Sequence, residues 1–427
     1  MERKISRKKK EASTTDAPAE AAAFLTDDLI LEILFRLPAR SVHRFKCVTP
    51  SWRDLIADPA NRKKLRHTLA GFLYGTYDSV GPRFHYFVFA DFSVGSAPPV
   101  DMSLPFLPPN KDLHVLDTCN GLLLCLCSMA LLLHQRMRMR PVELDAHFVV
   151  CNPATQRWAA LPPGSLAPDE PLTLARLAFD PAVSSHFHVL QFKGARRGGC
   201  VTGVSIYSSK SGAWIRKESL LVEKILLECG ATSVFFHGMR HLLGWSCPIN
   251  INNDAVLLAV DMQGKVWKTN RVPSGGLTCG RIGLSQGCLH YSSIPRVKKK
   301  KQNTKVASVW FMEDYDSKEW VLKHSVSNGE LRNINGVDYK VAAFHPDCDT
   351  IFLEARRTLP RTLRKWELHA PCYPCDADAL ASYDMQHQKF HRILNLGKNK
   401  TSNYLPYVSL FSDSLAVRVR NGPGLAV

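Results

Sequence analysis

Five times between residues 152 and 390, a short polar turn runs into an aromatic residue. The instances are Asn152 to Trp158, Tyr207 to Trp214, Asp261 to Trp267, Tyr315 to Trp320 and Tyr383 to Phe390. The aromatic positions are separated by 56, 53, 53 and 70 residues. A second piece recurs upstream, a glycine beside a strand-like run: CNGLLLC from 119, FFHGMRHLLGW from 235 and LSQGCLHYS from 284. Between these markers, short apolar runs alternate with Gly, Pro, Asn, Asp and Ser clusters, the texture of strands and turns. A period of this length describes one supersecondary unit that cannot bury its apolar faces alone. Radial stacking of such sheets closes them into a ring and leaves only short edges.

The spacing therefore predicts an all-β domain, most simply a β-propeller of about six blades. Five blades fall at residues 119–160, 172–217, 228–270, 281–324 and 335–393. A sixth pairs strands near Phe72 to Phe92 with the C-terminal strands Tyr404 to Val419, so that the two ends of the domain lock one another. A pair of packed sheets with coincident aromatic spacing is the competing architecture. Helical patterns are scarce here; Leu220 to Leu227 reads as a short helix.

Upstream the texture differs. Residues 25–57 read LTDDLILEILFRLPARSVHRFKCVTPSWRDLIA, the pattern of three short helices. Thr26 is placed to cap the first, with Asp27 and Asp28 in its first turn, where the helix dipole favours negative charge. Its apolar positions are Leu29, Ile30, Ile33, Leu34 and Leu37, and Pro38 stops it. The second helix carries Val42, Phe45 and Val48. The third opens on Thr49-Pro50 and presents Trp52, Leu55 and Ile56. Asp58-Pro59 repeats that cap and starts a fourth, basic helix through Leu65. A module this small cannot bury all these side chains internally, so part of its apolar surface needs a partner, in the same chain or another. The implied organisation is a disordered basic arm at 1–23, a helical module at 24–66 and the β-domain at 67–427.

The formal charge of +17 points first to nucleic acid, but its distribution argues otherwise. Residues 1–10 carry a net +5, residues 296–305 a net +6, and Arg136, Arg138 and Arg140 add +3, which leaves +3 for everything else. The basic runs read as a tail and two loops on a near-neutral body. Thirteen scattered cysteines lack the spacing of a disulfide scaffold and fit a reducing compartment, nucleus or cytoplasm. RKKK in the arm reads as a nuclear-import signal or a solvated tail. The apolar run from Gly121 to Leu133 is too short for a usual membrane span. Cys372-Tyr-Pro-Cys375 is a lone CxxC without a second pair, and His237 and His241 flank Gly238 in a strand-like setting, so neither set predicts a metal site. Glu313, Asp314 and Asp316 cluster in a predicted hairpin turn, where acids are ordinary turn formers. No nucleophile elbow, phosphate loop or HExxH motif is present; the sequence predicts no catalytic residue and no cofactor.

Two stretches carry a family resemblance. Leu25, Asp27, Asp28, Leu29, Ile33, Leu34, Arg36, Leu37, Pro38, Ser41, Arg44, Lys46, Val48, Ser51, Trp52, Arg53, Leu55 and Ile56 match the ordered pattern of an F-box, with Thr26 in place of the usual proline and Pro50 where a lysine is common. Cys119–Leu124 and Asn152–Pro162, with pieces at 177–182, 310–324 and 404–412, resemble the F-box-associated region of a plant family of kelch-like F-box proteins. The resemblance implies a non-enzymatic substrate-recognition subunit of an SCF-type (Skp-cullin-F-box) ubiquitin ligase. Its F-box would dock on a Skp-type adaptor, and through it a cullin, while the β-domain takes a protein substrate. On this reading Leu25, Ile30, Leu34, Leu37, Pro38, Val42, Val48 and Trp52 form or support the adaptor contact. The alternatives are an F-box scaffold acting outside the ligase and a basic nuclear nucleic-acid-binding protein.

Overall fold

A computed structural model describes residues 25–37, 39–62, 69–77, 85–91, 104–107, 112–128, 147–163, 174–194, 199–227, 232–247, 255–273, 280–293, 306–327, 338–356, 377–395 and 400–410. The arm at 1–23, the runs 131–140 and 296–305 and the CxxC pair lie outside the described residues. The chain divides into two compact units, Met1–Arg66 and His67–Val427.

The first unit is helical: α1 (Asp27–Arg36), α2 (Ala39–Phe45), α3 (Pro50–Ala57) and α4 (Pro59–Arg62). The second is built from strands. β1 (Leu69–Tyr77) and β2 (His85–Asp91) open it. Four antiparallel meanders and one variant follow. The first blade holds β3 (Asp112–Cys119), β4 (Leu122–Ser128), β5 (His147–Asn152) and β6 (Arg157–Ala160). The second holds β7 (Ala175–Ala178), β8 (His188–Lys193), β9 (Gly203–Ser208) and β10 (Ala213–Glu218). The third holds β11 (Ile225–Leu227), β12 (Ser233–Phe236), β13 (Met239–Ser246), β14 (Ala255–Asp261) and β15 (Trp267–Arg271). The fourth holds β16 (Arg281–Ser285), β17 (Cys288–Ser293), β18 (Val306–Met312) and β19 (Val321–Ser327). The fifth holds β20 (Asp338–Phe344), β21 (Thr350–Arg356), β22 (Ala377–Asp384) and β23 (Lys389–Asn395). β24 (Lys400–Val408) then pairs with β1, giving a sixth sheet in the order β2-β1-β24.

The ring is closed. The inner strands β3, β7, β12, β16, β20 and β24 each touch the next, and β24 returns to β3. Thr118 Oγ1 donates to the Pro406 carbonyl at 2.7 Å, and Asn152 Nδ2 donates to the Leu410 carbonyl at 2.9 Å. Leu410 lies so close to the first hairpin that a Cβ on Gly121, whose φ is +86°, would stand 2.1 Å from the leucine Cβ. A glycine is required there by backbone conformation and by space.

The repeats seen in the sequence now have a structural cause. Asn120-Gly121, His237-Gly238 and Gln286-Gly287 have positive φ at both positions, the tight turn that matches strand twist, and each joins an inner strand to its neighbour. Gln156, Gly212, Gly264, Lys318 and Gln388 also have positive φ and precede the recurring aromatic by two or three residues. They turn the chain into the outer strand, and the aromatic then fills the gap between blades. Trp214 packs on Phe148 of the first blade at 6.2 Å and donates its Nε1–H to the Pro162 carbonyl; Trp267 meets Phe192 of the second blade edge-on at 6.5 Å. One expectation fails: Leu220–Leu227 is not a helix. β10 ends at Glu218, and Ile225–Leu227 pairs with Ser246–Gly244 instead, because the free edge of β13 supplies hydrogen bonds there.

One buried ion pair ties three blades together. Asp117 on β3 and Arg240 on β13 are 3% and 1% exposed. The Arg240 guanidinium donates to the Asp117 carboxylate and to the Ser233 hydroxyl on β12. Asp117 also accepts from the Leu177 backbone N–H on β7 at 2.8 Å. Breaking a buried pair leaves an uncompensated charge, which costs more than the pair contributes. We expect Asp117→Ala to lower unfolding stability by about 3–5 kcal/mol, read as a drop in denaturant midpoint; an unchanged midpoint would remove this pair from the account of the ring.

Burial also holds two imidazoles neutral. His241 and His290 are each pushed down to about 4, mainly by desolvation, helped by the neighbouring Arg240 and Lys323 charges. The unfolded chain binds these protons near the ordinary histidine value, and the folded chain does not. Stability is therefore full above that value and falls as pH drops from about 6.5 toward 4. The expected loss at pH 5 is about 2 kcal/mol for each histidine. Thermal unfolding at pH 7 and pH 5 checks this, with His290→Gln losing less on acidification than the parent chain.

Candidate adaptor-docking surface

The helical unit is held by its caps as much as by its core. Thr26 accepts from the Leu29 N–H at 3.5 Å, and Thr49 accepts from the Trp52 N–H at 3.1 Å, with Pro50 in the first turn. Asp58 Oδ1 accepts from Ala60 and Asn61 at 2.7 and 3.3 Å, and Asn61 Nδ2 reaches back to the Leu55 carbonyl at 3.1 Å. Each cap satisfies donors that a short helix otherwise exposes. Ile30, Leu34, Val42 and Ile56 form the buried centre. Leu37, Phe45, Trp52 and Leu55 pack around it half-buried, with Phe45 and Trp52 ring centroids 5.2 Å apart.

A second apolar stripe faces water. Leu29 and Ile33 on α1 are 53% and 45% exposed, Leu25 just before the cap is 37% exposed, and Val48 beyond α2 is 53% exposed. Leu29 and Ile33 are four residues apart and lie on one line of the helix, and Leu25 is exposed just ahead of the cap. The stripe is displaced by one residue from Ile30 and Leu34, about 100° around the axis. A small module can pack only one of these two stripes into its own core. Burying each exposed side chain against a partner is worth about 1.5–3 kcal/mol, so this line is where a docking protein gains most.

Comparison with known proteins decides the family. Residues 24–64 match the F-box domain, and residues 102–389 match the family described as F-box protein At3g26010-like, beta-propeller. The chain belongs to this F-box β-propeller family. F-box protein At5g07610 of Arabidopsis thaliana is 25% identical over 316 residues, which cover 70% of each chain. F-box protein At5g49610 of the same plant is 26% identical over 353 residues, 78% of this chain and 85% of the relative.

Within the F-box, the structure divides the expected contact residues. Leu25 and Val48 are exposed, Leu37 and Trp52 are half-buried, and Pro38 lies outside the described residues. Ile30, Leu34 and Val42 are buried and hold the helices together. Val48 belongs to the turn after α2, not to the helix itself. Leu29 and Ile33 are the positions that the expected set omitted. Their four-residue spacing from each other on one helix was the available signal.

In the propeller, His237 sits in the tight turn and His241 in β13, where Nε2 lies 2.7 Å from the Tyr315 hydroxyl. Among the described residues, no cluster of His, Cys, Asp or Glu is arranged to hold a metal, and no helix is long and apolar enough to cross a membrane. Asp314 accepts the Asp316 N–H at 3.0 Å as an ordinary turn-former.

The two stripes make different predictions. Leu34→Ala removes buried volume and is expected to destabilise the F-box by about 2–5 kcal/mol. Leu29→Asp with Ile33→Asp changes only exposed positions and is expected to shift stability by no more than about 0.5 kcal/mol each. Hydrogen exchange of the α1 amides separates the two: equal loss of protection in both variants would mean that the outer stripe is packed.

Proposed function

We propose that this protein is the substrate-recognition subunit of an SCF-type ubiquitin ligase. The F-box lays the line of Leu29 and Ile33, with Leu25 and Val48, against a Skp-type adaptor, and the adaptor joins it to a cullin. The propeller offers its turns and connecting loops to a protein substrate. The observation that carries this reading is the apolar line left open on a well-capped, otherwise self-sufficient helical module. Its function is geometric. A receptor held on the ligase keeps a target lysine near the conjugating enzyme, which raises its effective concentration without any chemistry by the receptor. The nucleus or cytoplasm is the compartment this role requires.

The test is a binding assay between the full-length chain and a purified Skp-type adaptor at moderate salt. Leu29→Asp/Ile33→Asp is run beside it, as is a deletion of residues 25–65. The expected result is binding by the parent chain, loss on deletion and a weakening of at least about tenfold in the double variant. Adaptor binding that never supports ubiquitin transfer in a reconstituted ligase would indicate a scaffold outside the ligase. No binding by the folded parent chain would overturn the receptor assignment.

A further inference from the structure

Between the third and fourth blades the facing sheets part to leave a small open cleft of about 60 Å³. Its floor is apolar, formed by Leu257 and Ala259 of β14 and Met312 of β18. Ala259 lies in register between His241 on β13 and Lys268 on β15, so a single methyl stands where its neighbours carry long side chains. Tyr315 and His241 line one end of the cleft. The Tyr315 hydroxyl lies 2.7 Å from His241 Nε2 and 3.7 Å from Met239 Sδ, and its ring packs on Phe236 and His237 at 5.6 and 4.9 Å. With His241 kept neutral by burial, this end carries no charge at neutral pH.

The mouth is different. Lys268 and Lys318 both line it, and Asp316 is the one carboxylate beside them. Lys268 Nζ stands 5.6 Å from the centre of the Tyr315 ring. Among the described residues neither ammonium forms an ion pair, while nearby Arg271 and Lys323 both do. The Lys318 turn is fixed by a 2.9 Å hydrogen bond from Asn270 Nδ2 to the Lys318 carbonyl. The cleft thus combines a small apolar interior with two lysines and one carboxylate at its entrance, a net positive rim.

We propose that this cleft recognises a small apolar side chain carried next to a carboxylate on the protein substrate. The apolar group enters against Ala259 and Met312, and the carboxylate stays at the mouth between Lys268 and Lys318. The cleft is well below the roughly 300–1,000 Å³ of small-molecule sites, which suits one small side chain and not an organic ligand. Placing opposite charges at the rim of an apolar contact gives register and specificity beyond the contact itself. The carboxylate belongs either to a following acidic residue or to a chain terminus. The inference rests on the receptor reading above, and it names a chemical feature of the substrate.

The test uses the full-length protein and three fluorescent peptides of one parent sequence. The first ends in valine with a free carboxylate, the second carries an internal Val-Glu with an amidated end, and the third carries Val-Gln with an amidated end. Fluorescence anisotropy is expected to show binding of the first or the second, and about tenfold weaker binding of the third. Whichever of the two binds identifies the source of the carboxylate. Lys268→Ala/Lys318→Ala is expected to weaken that peptide about tenfold, and Ala259→Leu, which fills the cleft, to abolish its binding. Both variants are checked for unchanged adaptor binding and thermal midpoint. The lysine pair is a surface change, so it keeps the test decisive if Ala259→Leu fails to fold. Equal binding of all three peptides, no binding of any, or full affinity in the lysine variant overturns the cleft assignment. None of these outcomes touches adaptor binding, whose failure would count against the receptor reading separately.

Discussion

A row of stacked sheets leaves an uncovered apolar face at each of its two ends, and each forfeits the burial that a neighbouring sheet would supply. β24 removes both problems at once. It pairs with β1 through its backbone and packs on β3 and the Gly121 hairpin through Thr118, Asn152 and Leu410. The last strand of the domain thereby lies between its first sheet and its first full blade. Closure covers the last two exposed faces, because a blade has two apolar faces and keeps both covered only when it has a neighbour on each side.

Closure also explains where the polar core sits. Asp117 belongs to one blade, accepts a backbone N–H from the next and binds an arginine from the one beyond. Near a propeller axis inner strands converge, so one buried carboxylate reaches groups from three blades. The desolvation of such a pair is costly, and its net contribution to stability is small compared with the damage of losing one partner. Its effect is to fix the angular relation of three sheets that apolar packing alone would let slide, since dispersion contacts between flat faces are non-directional.

The blade positions were legible in the sequence because one backbone event, a positive φ before an aromatic, happens in all five complete blades and selects turn residues each time. The sixth sheet was legible for a different reason: strand-like runs at the two ends of the domain can share one sheet, which locks the ring. The Asp117–Arg240 pair was not legible. Its members are 123 residues apart, and nothing local at either position reports which strands converge. The misreading of Leu220–Leu227 has the same origin. Ile225 and Leu227 suit either a helix face or a strand face, and the edge of β13, distant in sequence, decides between them. In the F-box the helices and caps were readable, but the division into a core stripe and an open stripe was not, because Leu29 and Ile30 differ only by the turn of the helix relative to α2 and α3.

The two ends of the ring are built for different tasks. The turns at Gly121, Gly238 and Gly287 and the Tyr315 turn lie where inner and second strands, or third and outer strands, meet tightly. From the opposite end depart the connections that leave Ser128, Ser246, Ser293 and Arg356 and return at His147, Ala255, Val306 and Ala377, and the basic runs of the sequence fall in two of them. Short turns fix side chains to within the tolerance of the sheet itself, and a site placed on rigid elements is more precise than one placed on loops. The cleft at Tyr315 belongs to that rigid end, with Lys268 held on a strand and Lys318 on a turn tied to Asn270. Long connections tolerate changes in length and charge at little cost to the ring. On the proposed reading, the substrate anchor sits at the end of the ring where the chain turns tightly.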